Sequence, residues 1–143
     1  MCDFDFRVVQ LGQPKTTVFW VALVSPEVSR YTVSLSVEAT GAGLETYSED
    51  SGGGAMATKN LLPSPPLGAW RKVRLDVVVR PPALGGGTPR AVLLVNGEQQ
   101  VNRELTPPGN IQRARVKLGL VNGLAGAKND WQVQFDNVVC DKR

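Results

Sequence analysis

The chain contains no histidine. That absence removes histidine-based catalytic triads and every imidazole-ligated metal site from consideration. No apolar run reaches the ~18 residues that a membrane-crossing helix requires, and nothing at the start reads as a signal peptide. Basic residues outnumber acidic ones only 16 to 13, and they are dispersed rather than run together. A phosphate-tracking surface normally clusters Lys and Arg with aromatics between them, so neither a nucleic-acid partner nor a membrane span is expected. Helical periodicity is scarce as well. Cysteine is reduced to two residues, Cys2 and Cys140. No staple is strictly required, because a chain of this length buries roughly two thirds of its unfolded surface in one core. One domain spanning 1–143 is the simplest expectation.

What is present is glycine (15), proline (10) and a repeated alternation of apolar with polar residues. The longest run is Ala69 to Val79, where Val73, Leu75, Val77 and Val79 fall on one side and Lys72, Arg74 and Asp76 on the other. Period two of this kind is a strand with one buried and one wet face. The spacing predicts similar strands over Asp3–Val9, Tyr31–Ala39, Gly43–Ser48, Ala55–Leu61 and Arg113–Leu120. Ala91–Asn96 and Glu98–Arg103 read as a hairpin about Asn96-Gly97, the preferred pair where two turn residues need positive φ. Thr17–Val24 is apolar on both sides, with Phe19, Val21 and Leu23 opposed to Val18, Trp20 and Ala22, which predicts cover on both faces. Trp131–Cys140 alternates in two phases, and the slip at Asp136-Asn137 predicts a β-bulge. Turn residues occupy the joints, among them Gly12-Gln13-Pro14, Pro63, Pro65, Pro66 and Pro107-Pro108-Gly109. The fold class expected is all-β, a two-sheet antiparallel β-sandwich organised around the Ala69–Val79 strand.

Four spaced motifs carry a family resemblance: Gly68-Ala69-Trp70-Arg71-Lys72-Val73, Leu94-Val95-Asn96-Gly97, Lys117-Leu118-Gly119-Leu120 and Phe135-Asp136-Asn137-Val138-Val139. Together they resemble the laminin-G-like members of the concanavalin A-like lectin/glucanase superfamily, over about the last half of the chain. The resemblance implies a jelly roll, first and last strands adjacent, and ligands on the concave sheet or its rim loops. Asn96 stands where relatives often carry aspartate, a change the turn tolerates. Relatives also carry strands ahead of the segment matching Cys2–Val9, so this chain is expected to lack some N-terminal strands. It opens at Met1-Cys2-Asp3-Phe4 already in strand pattern, as expected of a mature or trimmed domain whose leader is left out. Cys2 is in phase with Phe4 and Phe6, and Cys140 with Val138; the jelly roll would set these strands side by side. That arrangement implies a Cys2–Cys140 disulfide over two buried thiols, and with it a secreted or cell-surface origin.

The superfamily includes glycoside hydrolases, but their signature Glu-x-Asp-x-x-Glu is missing. The nearest imitation, Glu45-x-Tyr47-x-Glu49, would hold its carboxylates about 13 Å apart at ~3.3 Å per residue, against about 5.5 Å for a retaining pair. Asp3 and Asp5 stand closer and read as the solvated face of a terminal strand. No enzyme is expected, and a degenerate glycoside hydrolase-like domain is the residual alternative.

Sugar binding needs an aromatic platform beside polar side chains. Tyr47, flanked by Glu45, Glu49 and Asp50, is the first candidate and Trp20 the second; the plain alternative is that both only pack. Lys72 and Arg74 share one strand face, as do Arg113, Arg115 and Lys117. Were those strands in one sheet, they would form a cationic patch suited to an acidic polysaccharide. The resemblance makes Asp136 a candidate ligand of a structural calcium ion, although no acidic loop supplies the six or more oxygens needed, and capping backbone donors at the bulge is its simpler role. Gly52-Gly53-Gly54 and Gly85-Gly86-Gly87 lack the Lys-Ser/Thr of a phosphate loop. The expected function is a non-catalytic module for a carbohydrate or cell-surface polymer. The alternative is a structural or adhesive protein-interaction module, favoured if the outward face of Thr17–Val24 is an exposed apolar patch.

Overall fold

The computed structural model describes residues 1–12, 16–25, 30–38, 41–48, 56–58, 67–79, 88–107, 111–121 and 130–141, with the backbone alone at 56–58 and 121. Among the described residues ten strands occur: β1 (Cys2–Gln10), β2 (Thr16–Val24), β3 (Arg30–Glu38), β4 (Gly41–Ser48), β5 (Met56–Thr58), β6 (Arg71–Val78), β7 (Arg90–Val95), β8 (Glu98–Glu104), β9 (Arg113–Val121) and β10 (Gln132–Cys140). They form two five-stranded antiparallel sheets, ordered β10-β1-β6-β7-β8 and β5-β4-β3-β2-β9. The long alternating run supplies β6, the middle strand of the first sheet. Among the described residues there is no helix long and apolar enough to cross a membrane.

The alternation seen in the sequence is what fills the core. Phe4, Phe6 and Val8 of β1, Val33, Leu35 and Val37 of β3, Val73 and Leu75 of β6 and Leu93 of β7 are all buried on the facing sides of the two sheets. Each such side chain contributes about 1.5–3 kcal/mol by leaving water. The Phe4 and Phe19 rings stack with centroids 5.0 Å apart, so β1 lies over β2. The inward residues of β7 and β8 are buried too, Leu93 at 0% and Val101 at 7% exposure. With β1 over β2, cover for β7 and β8 follows when the sheets run in the same order, β6 towards β3 and β7 towards β4, an arrangement that sets β10 and β9, the outer strands of their sheets, on one side of the sandwich.

Three local features depart from plain strand. In β2, Val18 does not join Trp20 and Ala22 on the outer face as its parity predicts; it is fully buried. The register of β2 slips between Thr17 and Phe19, and this bulge turns two successive residues inward. In β10, Asp3 pairs with Val139 but Asp5 with Asp136, which puts an extra residue at the Asp136-Asn137 slip. Asn137 takes φ 51° there, a left-handed conformation that asparagine tolerates better than most residues. At the β7–β8 turn, Asn96 and Gly97 both have positive φ, 53° and 86°. Asn96 also ties the turn to β6, its amide donating to the Lys72 carbonyl (2.8 Å) and its Oδ1 accepting from the Lys72 amide (3.0 Å).

β1 and β10 are hydrogen-bonded neighbours, with Cys2 opposite Cys140, and the two cysteines are disulfide-bonded across a sequence separation of 138. Closing a loop of that length contributes about 5 kcal/mol in the chain-entropy account. β5 takes up Met56–Thr58 of the Ala55–Leu61 expected, and the rest of that segment lies outside the described residues. The same holds for Gly52-Gly53-Gly54, Gly85-Gly86-Gly87 and the prolines at 63, 65 and 66.

Candidate functional site

The outer faces of the two sheets carry different chemistry. On the first sheet, Asp3, Asp5 and Arg7 of β1 lie between Lys72 and Arg74 of β6 and the outward residues of β10. Their polar groups engage one another. Arg74 donates to both Asp3 oxygens (2.7 and 3.2 Å), and that hydrogen bond, with the charge behind it, raises the guanidinium pKa above its ordinary value. Asn137 Nδ2 donates to Asp5 Oδ2 (2.7 Å), and Arg7 Nε donates to Gln134 Oε1 (2.6 Å) while its guanidinium sits 4.9 Å from the Trp70 ring centroid.

On the second sheet, register places the outward residues in rows running across the strands from β9 to β4. One row reads Lys117, Trp20, Ser34, Glu45; the next reads Arg115, Ala22, Thr32, Tyr47. Beside them Thr17, Ser36 and Gly43 form a third row. Strand spacing and rise put the Trp20 and Tyr47 backbones about 12 Å apart, two strands across and two residues along. Among the described residues a low row of short side chains stands between them, Ala22 buried and Thr32 and Ser34 half-buried.

Charge flanks this low row on both sides. Lys117 Nζ lies 5.1 Å from the Trp20 ring centroid, a cation–π contact that fixes the indole from the β9 side. On the β4 side, Glu45 Oε2 accepts from the Ser36 hydroxyl (3.3 Å), and Ser36 Oγ is 3.1 Å from Thr17 Oγ1. Ser36 has one hydroxyl proton and directs it at the carboxylate, so Thr17 is the donor of the second bond and the chain runs Thr17 to Ser36 to Glu45. Tyr47 is 42% exposed, and among the described residues its hydroxyl makes no hydrogen bond. Arg115 is exposed, with no ion pair among the described residues.

The site residues expected from sequence divide accordingly. Trp20, Glu45, Tyr47 and Arg115 share this face. Lys72 and Arg74 do not: they lie on β6, hydrogen-bonded between β1 and β7 in the other sheet, so no joint cationic patch with Arg113, Arg115 and Lys117 exists. Glu49 and Asp50 lie outside the described residues. Asp136 Oδ1 accepts from the Asn137 backbone amide (2.8 Å), so its carboxylate caps a backbone donor at the bulge. Among the described residues no three His, Cys, Asp or Glu side chains gather to hold a metal ion, so the residues around Asp136 offer calcium no carboxylate cluster. Lys117, expected as part of a cationic patch, joins this face, and Thr32 and Ser34 are additions to it. Their signal was the polar half of the β3 alternation, which became informative only once β3 was known to lie between β2 and β4.

The outward face of Thr17–Val24 is not an exposed apolar patch, since Ala22 is buried and Trp20 and Val24 are half-buried. Comparison with protein-family models, curated proteins and solved structures returns no match for this chain.

Proposed function

We infer that this chain is a non-catalytic β-sandwich module, a jelly roll of the laminin-G-like kind, that binds a carbohydrate or a cell-surface polymer. The observation that carries the reading is the pair Trp20 and Tyr47, set across the low row of Ala22, Thr32 and Ser34 with cations on one side and Glu45 on the other. Sugar rings present apolar faces that stack on indole and phenol, and hydroxyls that take directed hydrogen bonds from serine, threonine and carboxylate. Arg115 and Lys117 at the β9 side favour a glycan carrying acidic groups, at a distance short enough for charge to add to stacking. The pairing of the first strand with the last supports the jelly-roll topology, and the Cys2–Cys140 bond supports residence in an oxidising compartment, secreted or at the cell surface.

Glycan-array screening of the folded protein, with and without calcium, tests the reading. Binding to a subset of glycans that Trp20→Ala and Tyr47→Ala each weaken about tenfold or more is the expected outcome. Silence across acidic and neutral glycans, or binding indifferent to both substitutions, overturns it. An adhesive protein-interaction module is the alternative class, favoured by a different observation: the exposed apolar residues Val116, Leu120 and Val138 on β9 and β10.

A further inference from the structure

The two open sides of the sandwich are not alike. At the β8 side, Val101 is 7% and Leu105 3% exposed, so that side is sealed. At the β9/β10 side the residues with inward parity are not covered. Val116 and Leu120 of β9 are 44% and 41% exposed, Val138 of β10 is 47% exposed, and Leu118, Val133 and Phe135 are half-buried behind them. Side chains that should face a core are instead open to water along the two outer strands. Isolated exposed apolar residues need no explanation, but a contiguous set along facing edges marks a surface that another element covers.

The backbone narrows what that element is. Among the described residues no strand pairs with the outer edge of β9 or of β10, and an outer edge of this kind offers backbone groups that a further strand can complete. β10 carries the extra residue at Asp136-Asn137, which blunts it as a template. β9 keeps unbroken register with β2 from Arg113 to Leu118. Within that stretch the outward residues are Arg113, Arg115 and Lys117, all basic and all exposed, with no acidic partner among the described residues. A strand added to β9 would set its own outward residues beside these three cations, where opposite charges stabilise and like charges destabilise. A second copy of β9 would bring the same cations against themselves, which disfavours self-pairing.

We propose that β9 is an acceptor edge for an extended segment of a partner polypeptide whose residues alternate apolar and acidic. The apolar residues lie over Val116 and against Val138, and the acidic ones lie beside Arg113, Arg115 and Lys117. Main-chain hydrogen bonds supply affinity, and the alternation supplies selectivity. This site uses the β9 edge and the open apolar residues along it, whereas the glycan reading uses the Trp20–Tyr47 face; only Arg115 and Lys117 belong to both.

A labelled synthetic peptide alternating valine and glutamate, titrated into the intact disulfide-bonded protein by fluorescence anisotropy, tests the proposal. The same peptide with lysine for every glutamate is the charge control. Three facing charge pairs predict about tenfold tighter binding of the glutamate peptide at low salt. Val116→Lys, at a position already open to water, abolishes binding, and Arg113→Glu, outside the glycan face, weakens the glutamate peptide while strengthening the lysine one. Backbone amide shifts fall on residues 113–118 and leave the β3 and β4 amides in place. Should Val116→Lys fail to fold, Leu120→Lys and the amide map answer the same question. Equal binding of both peptides, no binding at millimolar concentration, or shifts centred on β3 and β4 overturns the proposal. So does a dimer in sedimentation that Val116→Lys dissociates, because the edge would then be covered by a second copy.

Discussion

The outer face of the first sheet and that of the second are built on the same backbone plan and reach opposite ends. Asp3, Asp5, Arg7, Arg74, Gln134 and Asn137 meet one another at 2.6–3.2 Å. Their charges and amides are spent on neighbours, and such exposed pairs add little to stability. Across the molecule, the Trp20–Tyr47 face leaves a phenol and Arg115 without described partners. It fixes Trp20 through Lys117, and Glu45 through the hydroxyl chain from Thr17. A surface whose polar groups answer each other needs no visitor. The other, whose aromatics stand apart over short side chains with the flanking groups held in place, is the face on which the proposed glycan reading rests.

The largest expected effect tests whether the first sheet depends on its covalent closure while the second does not. Replacing Cys2 and Cys140 with alanine should cost about 3–5 kcal/mol in a denaturant titration. Native-state amide exchange should rise first in β1 and β10, with β2, β3 and β4 keeping their protection. Uniform loss across both sheets would show that the bridge stabilises the fold as a whole. Next in size, Asn137→Val forces a β-branched residue into a left-handed conformation and removes the bond to Asp5, for about 1–3 kcal/mol of stability. Asn137→Gly should stay within a few tenths. If valine is tolerated as well as glycine, the bulge does not fix the first face.

A smaller effect separates the faces by function. Trp70 is 45% exposed on the first sheet's side, held against Arg7. Trp70→Ala should leave glycan binding unchanged in the assay where Trp20→Ala and Tyr47→Ala each cost about tenfold, and equal losses at all three positions would erase the distinction drawn between the faces. Smallest of all is Asp3→Asn. It breaks an exposed ion pair, so the thermal midpoint and glycan affinity should both stay within measurement error, and a clear change in either would show that the first face is not merely self-satisfied.

Much of this contrast was legible before any coordinates. Alternation by twos marked nearly every strand, because burial of one side chain in two is a local property of a pleated chain. The Asp136-Asn137 slip was visible for the same reason: an extra residue changes the parity of everything after it. What alternation cannot encode is which strands become neighbours. Lys72 with Arg74 and Arg115 with Lys117 look like halves of one patch until β1 and β7 claim β6, and β2 claims β9. Thr32 and Ser34 read as an ordinary wet face because their meaning lies in standing between Trp20 and Tyr47, a relation set by long-range pairing. Val18 failed for a subtler reason. Its parity was right for a regular strand, and the bulge that overrides it pairs Thr17 with Ser36 and Phe19 with Leu35, leaving one residue over. No turn residue announces that slip in the chain itself.

The Cys2–Cys140 bond also bears on how the molecule would respond to being stretched. Tension applied through segments attached at either side of these cysteines is carried by one sulfur–sulfur link, which bypasses the intervening sheets. Under oxidising conditions such a unit transmits load as a short inextensible rivet, and only a reductant would let its strands pay out as slack.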